Sequence, residues 1–231
     1  SRRADRRFLS ALLEACLSLS AGGGLRRRKL SEASSLFQLL IILCKKAGIT
    51  VMSKLRLAGV IKESIVDGPG IRFVVFGQGC PHRCPGCQNP QTHDFSGGYD
   101  TTTERLLAEI RKNPMLKGIT LSGGDPFVQP EAMAELAEEA HKLGLNVVTY
   151  TGYTIEELLN GLEGHPGWRR LLEQSDTLVD GRFILEQKSM LLKFRGSKNQ
   201  RVIDPRASLE QGRAVEKPFD NEVVIEFPRD I

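Results

Sequence analysis

The chain has 231 residues, of which 40% are hydrophobic and 26% charged, a composition typical of one globular domain with room for an extension. Its formal net charge of +4 is uneven: residues 1–51 hold ten Lys and Arg against three Asp and Glu, whereas the remainder holds 22 basic and 25 acidic residues. The basic excess therefore gives no reason to expect nucleic acid as a partner, and no apolar run reaches the roughly 18 residues that span a membrane.

Residues 1–51 differ in character from the rest of the chain. Their start, SRRADRRFLSALLEACLSLSAGGG, has features of a signal peptide and of a mitochondrial presequence. The first methionine is Met52, and a well-patterned sequence follows it. We favour an atypical N-terminal extension, non-native or disordered, over a targeting peptide, and we expect the folded domain to cover residues 52–231.

From Met52 onward, strand-like and helix-like segments mostly alternate. The patterns predict strands over residues 55–61, 71–77, 117–124, 145–152, 176–179, 200–204 and 222–227. They predict helices over residues 103–113, 130–144, 154–162 and 168–175. Helices of this length between strands indicate βαβ crossovers and a mainly parallel sheet.

About 180 residues are too few for a full eight-stranded barrel, which needs roughly 250. We therefore predict an α/β fold with a partial, open TIM-type βα barrel. In such folds ligands bind beyond the carboxyl ends of the strands. The unusual loops GQGCPHRCPGCQNP, SGGDP, TYTGY and VDGRF all follow predicted strands.

Three of the five cysteines, Cys80, Cys84 and Cys87, lie within eight positions, whereas Cys16 and Cys44 belong to the N-terminal piece. Crowded thiols in a chain with so few cysteines favour a metal site in a reducing compartment, so we expect a cytoplasmic protein. One interpretation is a Cys3His zinc site completed by His82 or His93. The short C-x3-C-x2-C loop suits a four-iron cluster better, with one iron left open.

These motifs also carry a family resemblance. CPHRCPGC matches the signature of the radical S-adenosylmethionine (radical SAM) enzymes, and DGPGIRFVVFGQGCPHRCPGCQNP followed by SGGDPF resembles the glycyl-radical-enzyme activases. LVDGRFILEQKSMLLKFRGSKNQRVID resembles the activating proteins of anaerobic (class III) ribonucleotide reductases. The resemblance extends from Met52 to about Asp204 and does not include residues 1–51.

The resemblance implies a radical SAM core in which Cys80, Cys84 and Cys87 hold one 4Fe–4S cluster. The fourth iron would take the amino and carboxylate groups of S-adenosylmethionine. Reductive cleavage would give methionine and a 5′-deoxyadenosyl radical, which removes a hydrogen atom from a backbone glycine of the reductase. The implied partners are that reductase and a small electron donor such as flavodoxin.

By the same resemblance, the strand end with Gly123, Gly124 and Asp125 would contact the methionine amino group. Relatives often carry Glu where this chain has Asp125, which leaves open whether its carboxylate or only the backbone makes the contact. A plain strand-to-helix turn, with Asp125 near an N-cap, is the structural alternative.

The next two strand ends would contact the ribose and the methionyl carboxylate, through Tyr150 and Thr151 on one strand and Asp180 and Arg182 on the other. The family's Asp-x-Lys element reads Asp180-Gly181-Arg182 here. A guanidinium can pair with a carboxylate in two parallel hydrogen bonds. A turn residue at the strand end is the alternative interpretation of Asp180.

Two further segments keep two interpretations each. Residues 67–70, Asp-Gly-Pro-Gly, are either a bare turn that admits a peptide loop near the active-site mouth or a simple hairpin turn. The basic run Lys193, Arg195, Lys198 and Arg201 either docks a partner or is a solvated face. As a whole, the chain is an activase, another small radical enzyme, or a zinc or iron–sulfur interaction module without catalysis.

Overall fold

The computed structural model describes residues 53–218. The predictions for residues 1–51, including Cys16 and Cys44, and the strand predicted over residues 222–227 lie outside the described residues. Within the described part, no helix is long and apolar enough to cross a membrane.

One mixed sheet of seven strands organises the domain. The strands are β1 (Lys54–Ser64), β2 (Arg72–Gly77), β3 (Tyr99–Thr102), β4 (Gly118–Gly123), β5 (Asn146–Tyr150), β6 (Thr177–Asp180) and β7 (Arg201–Ile203). Their order across the sheet is β3-β1-β2-β4-β5-β6-β7. The central pairs β2–β4, β4–β5 and β5–β6 are parallel, whereas β1–β2, β1–β3 and β6–β7 are antiparallel. The sheet is open, so the prediction of an open α/β fold is confirmed at that level.

Five α-helices occur within residues 53–218: α1 (Thr103–Ile110), α2 (Pro130–Lys142), α3 (Ile155–Gly161), α4 (Trp168–Gln174) and α5 (Pro205–Gln211). Their starts follow local capping chemistry. Thr102 accepts a hydrogen bond from the Arg105 amide, and Thr154 forms a capping box with Glu157. The predicted helices α1 to α4 are confirmed, with ends that differ by a few residues.

The two faces of the sheet have different neighbours, as strand alternation requires. On β5, Thr149 faces the helices, because its hydroxyl lies 2.7 Å from the Ser175 hydroxyl at the end of α4. Val148 and Tyr150 point to the opposite face, which we call the inner face, where they pack with Val179, Val202 and Phe194.

Two local differences from the sequence prediction, strand β3 and helix α5, have physical reasons. Strand β3 was not predicted, because Tyr-Asp-Thr-Thr is short and polar and becomes a strand only by pairing with β1. Helix α5 was not predicted either, although Asp204 caps it and Pro205 occupies its first turn. Residues 67–70 connect antiparallel β1 to β2, so they form a hairpin connection.

Candidate functional site

The cysteine loop follows β2 at the carboxyl edge of the parallel strands. Its two ends are joined by backbone hydrogen bonds, from the Gly79 amide to the Thr92 carbonyl (2.8 Å) and from the Cys80 amide to the His93 carbonyl (3.2 Å). Gly79 has a φ of 96°, a conformation that glycine adopts without strain. The loop is therefore a closed structure that begins and ends beside the sheet.

The three cysteines predicted as cluster ligands, Cys80, Cys84 and Cys87, all lie in this loop as free thiols. Cys80 is buried, and burial raises the pKa of its thiol. Cys84 and Cys87 are half-buried, and the Asn89 amide donates to the Cys87 sulfur at 3.4 Å. This last contact helps to order the end of the loop.

The histidines of the loop do not complete a site for a single metal ion. His82 donates through Nε2 to Asp125 at 2.9 Å, and its ring packs edge-on against Tyr153. The His93 carbonyl takes part in loop closure. Among residues 53–218, no group of three or more His, Cys, Asp or Glu side chains converges closely enough to hold one ion. The geometry therefore disfavours the zinc interpretation.

Asp125 is the polar centre of the site. Its side chain is fully buried, and its carboxylate accepts hydrogen bonds from the His82 ring, the Thr151 hydroxyl, the Gly152 amide and the Phe127 amide. The Asp125 amide donates in turn to the Gly79 carbonyl at 2.9 Å. One carboxylate thus connects the cysteine loop to the ends of β4 and β5.

Gly124 allows the end of β4 to lie directly against the cysteine loop. A Cβ atom at this position would overlap the Gly79 carbonyl oxygen. Gly123 has a φ of 94°, and the next amide, that of Gly124, still donates to the Gly77 carbonyl at the end of β2. These two glycines satisfy a packing requirement of the protein itself, in addition to the close ligand approach that the sequence suggested.

Tyr150 and Thr151 diverge at the end of β5. Thr151 points to Asp125, as described above, and so belongs to the buried network. Tyr150 lies on the inner face, where its hydroxyl donates to the Phe194 carbonyl at 2.9 Å. Burial raises the pKa of the Tyr150 hydroxyl, so it remains a neutral donor at physiological pH.

Asp180 is also buried, and its carboxylate is used within the protein. It accepts two hydrogen bonds from the Arg201 guanidinium, at 3.1 and 2.5 Å, and one from the Ile155 amide at the start of α3. Arg201 pairs with Glu156 as well, and that pairing lowers the pKa of Glu156 to about 2. From the sequence, Arg201 was predicted only as a member of a basic run, and its pairing with Asp180 and Glu156 was not predicted.

Arg182 is exposed and lines a cavity of about 520 Å³ together with Gly152, Asp180 and Asn199. The Asn199 side chain donates to the Arg182 carbonyl, which fixes the backbone at this position. Arg182 is exposed, whereas the Asp180 carboxylate in the same cavity is already paired with Arg201.

Arg72 is a buried residue that the sequence analysis did not single out. Its five N–H groups donate to Thr120, Pro69, Ile119 and Asn146, the last of which accepts twice. Desolvation lowers its pKa to about 10. An arginine at the start of the apolar segment IRFVVFG was the available signal, since a charge within a buried strand needs internal partners.

The site fits an iron–sulfur cluster by the chemistry of its donor set. Three thiols in one short loop supply three of the four ligands that a four-iron cluster takes, and none is used in a disulfide. The thiols of a cluster bind separate irons, so they need not converge on one point as zinc ligands do.

Comparison with known proteins agrees with this chemistry. The domain family described as "4Fe-4S single cluster domain" matches residues 66–203. The anaerobic ribonucleoside-triphosphate reductase-activating protein of Vibrio cholerae is 34% identical over 145 residues, covering 59% of this chain and 89% of that protein. The Salmonella typhimurium protein of the same name is 33% identical over 147 residues, covering 60% and 91%.

The pyruvate formate-lyase-activating enzyme of Clostridium pasteurianum is 33% identical over 130 residues, covering 54% of this chain and 50% of that enzyme. All three relatives are named as activators of another enzyme, and the family match contains the cysteine loop, the Asp125 network and Asp180. The chain therefore belongs to the 4Fe-4S single cluster domain family and, within it, to the radical SAM activating enzymes of glycyl-radical enzymes.

Proposed function

We propose that this chain generates the glycyl radical on an anaerobic ribonucleotide reductase. When bound and reduced, a 4Fe–4S cluster on Cys80, Cys84 and Cys87 supplies the electron that cleaves S-adenosylmethionine to methionine and a 5′-deoxyadenosyl radical, which takes a hydrogen atom from a reductase glycine. The observation that carries the proposal is a loop of three free thiols, tied by buried Asp125 to two strand ends, in a chain whose relatives activate this reductase.

The protein's own residues hold and orient the reactants in this proposal. The Asp125 carboxylate already accepts from four protein donors, so the methionine amino group is received by the main chain of Gly123 and Gly124. Arg182 lines the neighbouring cavity and is the group that binds the cofactor's carboxylate or ribose. Tyr150, Thr151 and Asp180 act as positioning residues around them.

The open sheet supports a protein substrate. The partial TIM-type barrel that the family resemblance implies would be open at one side, and we propose that side as the route by which a peptide loop reaches the cluster. In this proposal the partner protein covers the open side of the active site and shields the radical from solvent, which the short chain does not do by itself. We further propose that the chain works in the cytoplasm and takes its electron from a small flavoprotein such as flavodoxin.

The test is anaerobic reconstitution with iron and sulfide, followed by incubation with S-adenosylmethionine, a reductant and the reductase. We expect about four irons per chain and a glycyl-radical signal on the reductase in electron paramagnetic resonance spectra. Cys84→Ala removes one cluster ligand and should abolish both cofactor cleavage and the signal.

Pyruvate formate-lyase serves as the second partner in this assay, because one relative activates that enzyme. A radical formed on pyruvate formate-lyase and not on the reductase would overturn the assignment of substrate. Zinc bound in place of iron would overturn the radical chemistry altogether.

A further inference from the structure

An exposed apolar tip stands out between β6 and β7. Residues 188–197 form a hairpin-like excursion, which we call the tip loop, closed by an antiparallel bridge between Lys188 and Ser197. At its end, Met190 is 87% exposed and Leu191 is 94% exposed. Two adjacent large apolar side chains so fully exposed to water stabilise nothing within the described part of the chain.

The base of the tip loop, in contrast, is held firmly. The Ser189 amide donates to the Gly196 carbonyl, and the Lys198 amide donates to the Gln187 carbonyl at 3.0 Å. The Gln200 side chain accepts from the amides of Gly196 and Ser197. A fixed base presents the apolar tip in one position, which lowers the entropic cost of docking.

The tip loop and a residue shortly before it also contact the cysteine loop and the inner face of the sheet. Leu185, which precedes the tip loop, packs against the cysteine loop so closely that a Cβ on Gly86 would lie 2.8 Å from its Cδ1. Phe194 packs on the inner face and has a φ of 54°, a strained conformation for an aromatic residue. Backbone strain of this kind clusters at active sites and ligand-binding segments.

Charge indicates the chemistry of what the tip loop meets. The segment 183–200 contains one acidic residue, Glu186, against Lys188, Lys193, Arg195 and Lys198. The three lysines are exposed and flank the apolar tip. A complementary surface would have an apolar pocket for Met190 and Leu191, with carboxylates around its rim.

We propose that the tip loop is the docking element for the glycyl-radical reductase, inserting Met190 and Leu191 into an apolar pocket with an acidic rim. This inference rests on the proposed function and specifies the surface by which the protein substrate is recognised. Docking at this position would place the partner beside the cysteine loop, because Leu185 connects the two. Methionine is enriched at the cores of protein interfaces, and side chains that dominate affinity lie in desolvated pockets ringed by contacts that exclude water.

The first experiment uses the reconstituted full chain carrying Met190→Ser and Leu191→Ser. Both side chains are exposed, so folding and cofactor cleavage without the reductase should match the wild type. We expect at least about tenfold weaker binding to the reductase, and a matching loss of glycyl radical at subsaturating reductase. Met115→Ser is the matched control. Met115 is 62% exposed and precedes β4, so it lies at the amino ends of the parallel strands, whereas the tip loop follows the carboxyl end of β6.

The second experiment reverses two charges, with Lys188→Glu and Lys193→Glu. Binding should weaken most at low salt, and the difference from the wild type should shrink as salt screens the charges. The control is Arg105→Glu with Arg169→Glu, two exposed positions near helix N-termini, where a negative charge is favourable.

The outcomes separate this inference from the proposed function. Unchanged affinity in the Met190 and Leu191 double variant, with wild-type radical formation, would overturn the docking role alone. Weakened affinity in the Met115 control as well would also overturn it, because the effect would not depend on the tip loop. A wild-type chain that binds the reductase but forms no radical would count against the proposed function alone.

Discussion

Asp125 shows at the scale of a single residue how a buried charge can organise a site. It has no Lys or Arg partner among its hydrogen bonds and is stabilised instead by His82, a hydroxyl and two backbone amides. Hydrogen bonds to the charged form compensate for the loss of water around a buried carboxylate. Substitution of Asp125 should therefore lower the free energy of unfolding much more than substitution of a surface carboxylate.

Asp125→Asn should destabilise the protein by ~1–3 kcal/mol, since the new NH2 group would face donors and leave at least one buried donor without an acceptor. Urea unfolding at neutral pH measures this change, and iron content after reconstitution should fall with it. Asp100→Asn is the control: Asp100 is 70% exposed and pairs with Arg56, so the expected change is below ~1 kcal/mol. Equal losses in both variants would contradict a special role for Asp125.

Arg72 leads to a second expectation at this scale. Arg72→Met keeps most of the side-chain volume but removes donors from the buried Ile119 carbonyl and Thr120 hydroxyl, and from the partly buried contacts with Pro69 and Asn146. We expect a loss of ~2–4 kcal/mol, measured as a lower urea midpoint with an unchanged slope. Arg72→Lys should recover only part of it, because an ammonium cannot reproduce the planar fork. Wild-type stability in Arg72→Met would show that these acceptors have other partners.

The sequence predicted which residues lie at the site better than it predicted the residues to which they are hydrogen-bonded. Cys80, Cys84 and Cys87 are close together because they occupy one short loop, so spacing alone was sufficient. The contacts of Asp125 with His82 and of Asp180 with Arg201 join residues 43 and 21 positions apart. Such contacts depend on strand order and register, which local patterns do not contain.

At the scale of secondary-structure elements, helix starts position the loops that surround the site. The capping box of Thr154 and Glu157 begins α3 two residues after Gly152, which contacts Asp125. Thr154→Ala should lower the free energy of unfolding by ~1 kcal/mol, measured by thermal or urea denaturation. Thr154→Ser retains the hydroxyl and should stay close to the wild type; a loss as large as that of alanine would exclude the cap as the cause.

Arg201 joins three elements, since it lies on β7 and binds Asp180 of β6 and Glu156 of α3. The pKa of Glu156 is lowered in the folded state to about 2, so its contribution is present above about pH 4.5 and is lost as the pH falls toward 2. Glu156→Gln should cost less than ~1 kcal/mol at pH 7, because the carboxylate is half exposed. Urea midpoints at pH 7 and pH 3 should show a smaller difference from wild type at the lower pH; an undiminished difference would contradict the ion pair.

Strong local signals explain which elements were predictable. Helix α2 has Pro130 in its first turn and Gly144 after its end, and the apolar β4 and β5 lie between helices, so each was recognisable in isolation. Strand β3 exists only through its pairing with β1, and no pattern within four polar residues could reveal it. The edges of the sheet were therefore harder to predict than its centre.

At the scale of the whole molecule, the family match over residues 66–203 contains the cysteine loop, the Asp125 network and Asp180. A chain that starts at Met52 should therefore keep its urea midpoint and its iron content after reconstitution. Circular dichroism and iron analysis of the shortened and full chains measure this. A lower midpoint or a loss of iron in the shortened chain would show that residues 1–51 contribute to the domain.

An open sheet has two outer strands, and their unpaired backbone groups are a potential template for aggregation. Here β3 has four residues, two of them the exposed Tyr99 and Asp100. At the other side, β7 has only three residues, and Ile203 already pairs with Glu216. Within residues 53–218, such short outer strands offer a second copy of the same chain few backbone groups to pair with, and they leave the sheet open for the protein loop that the proposed function requires.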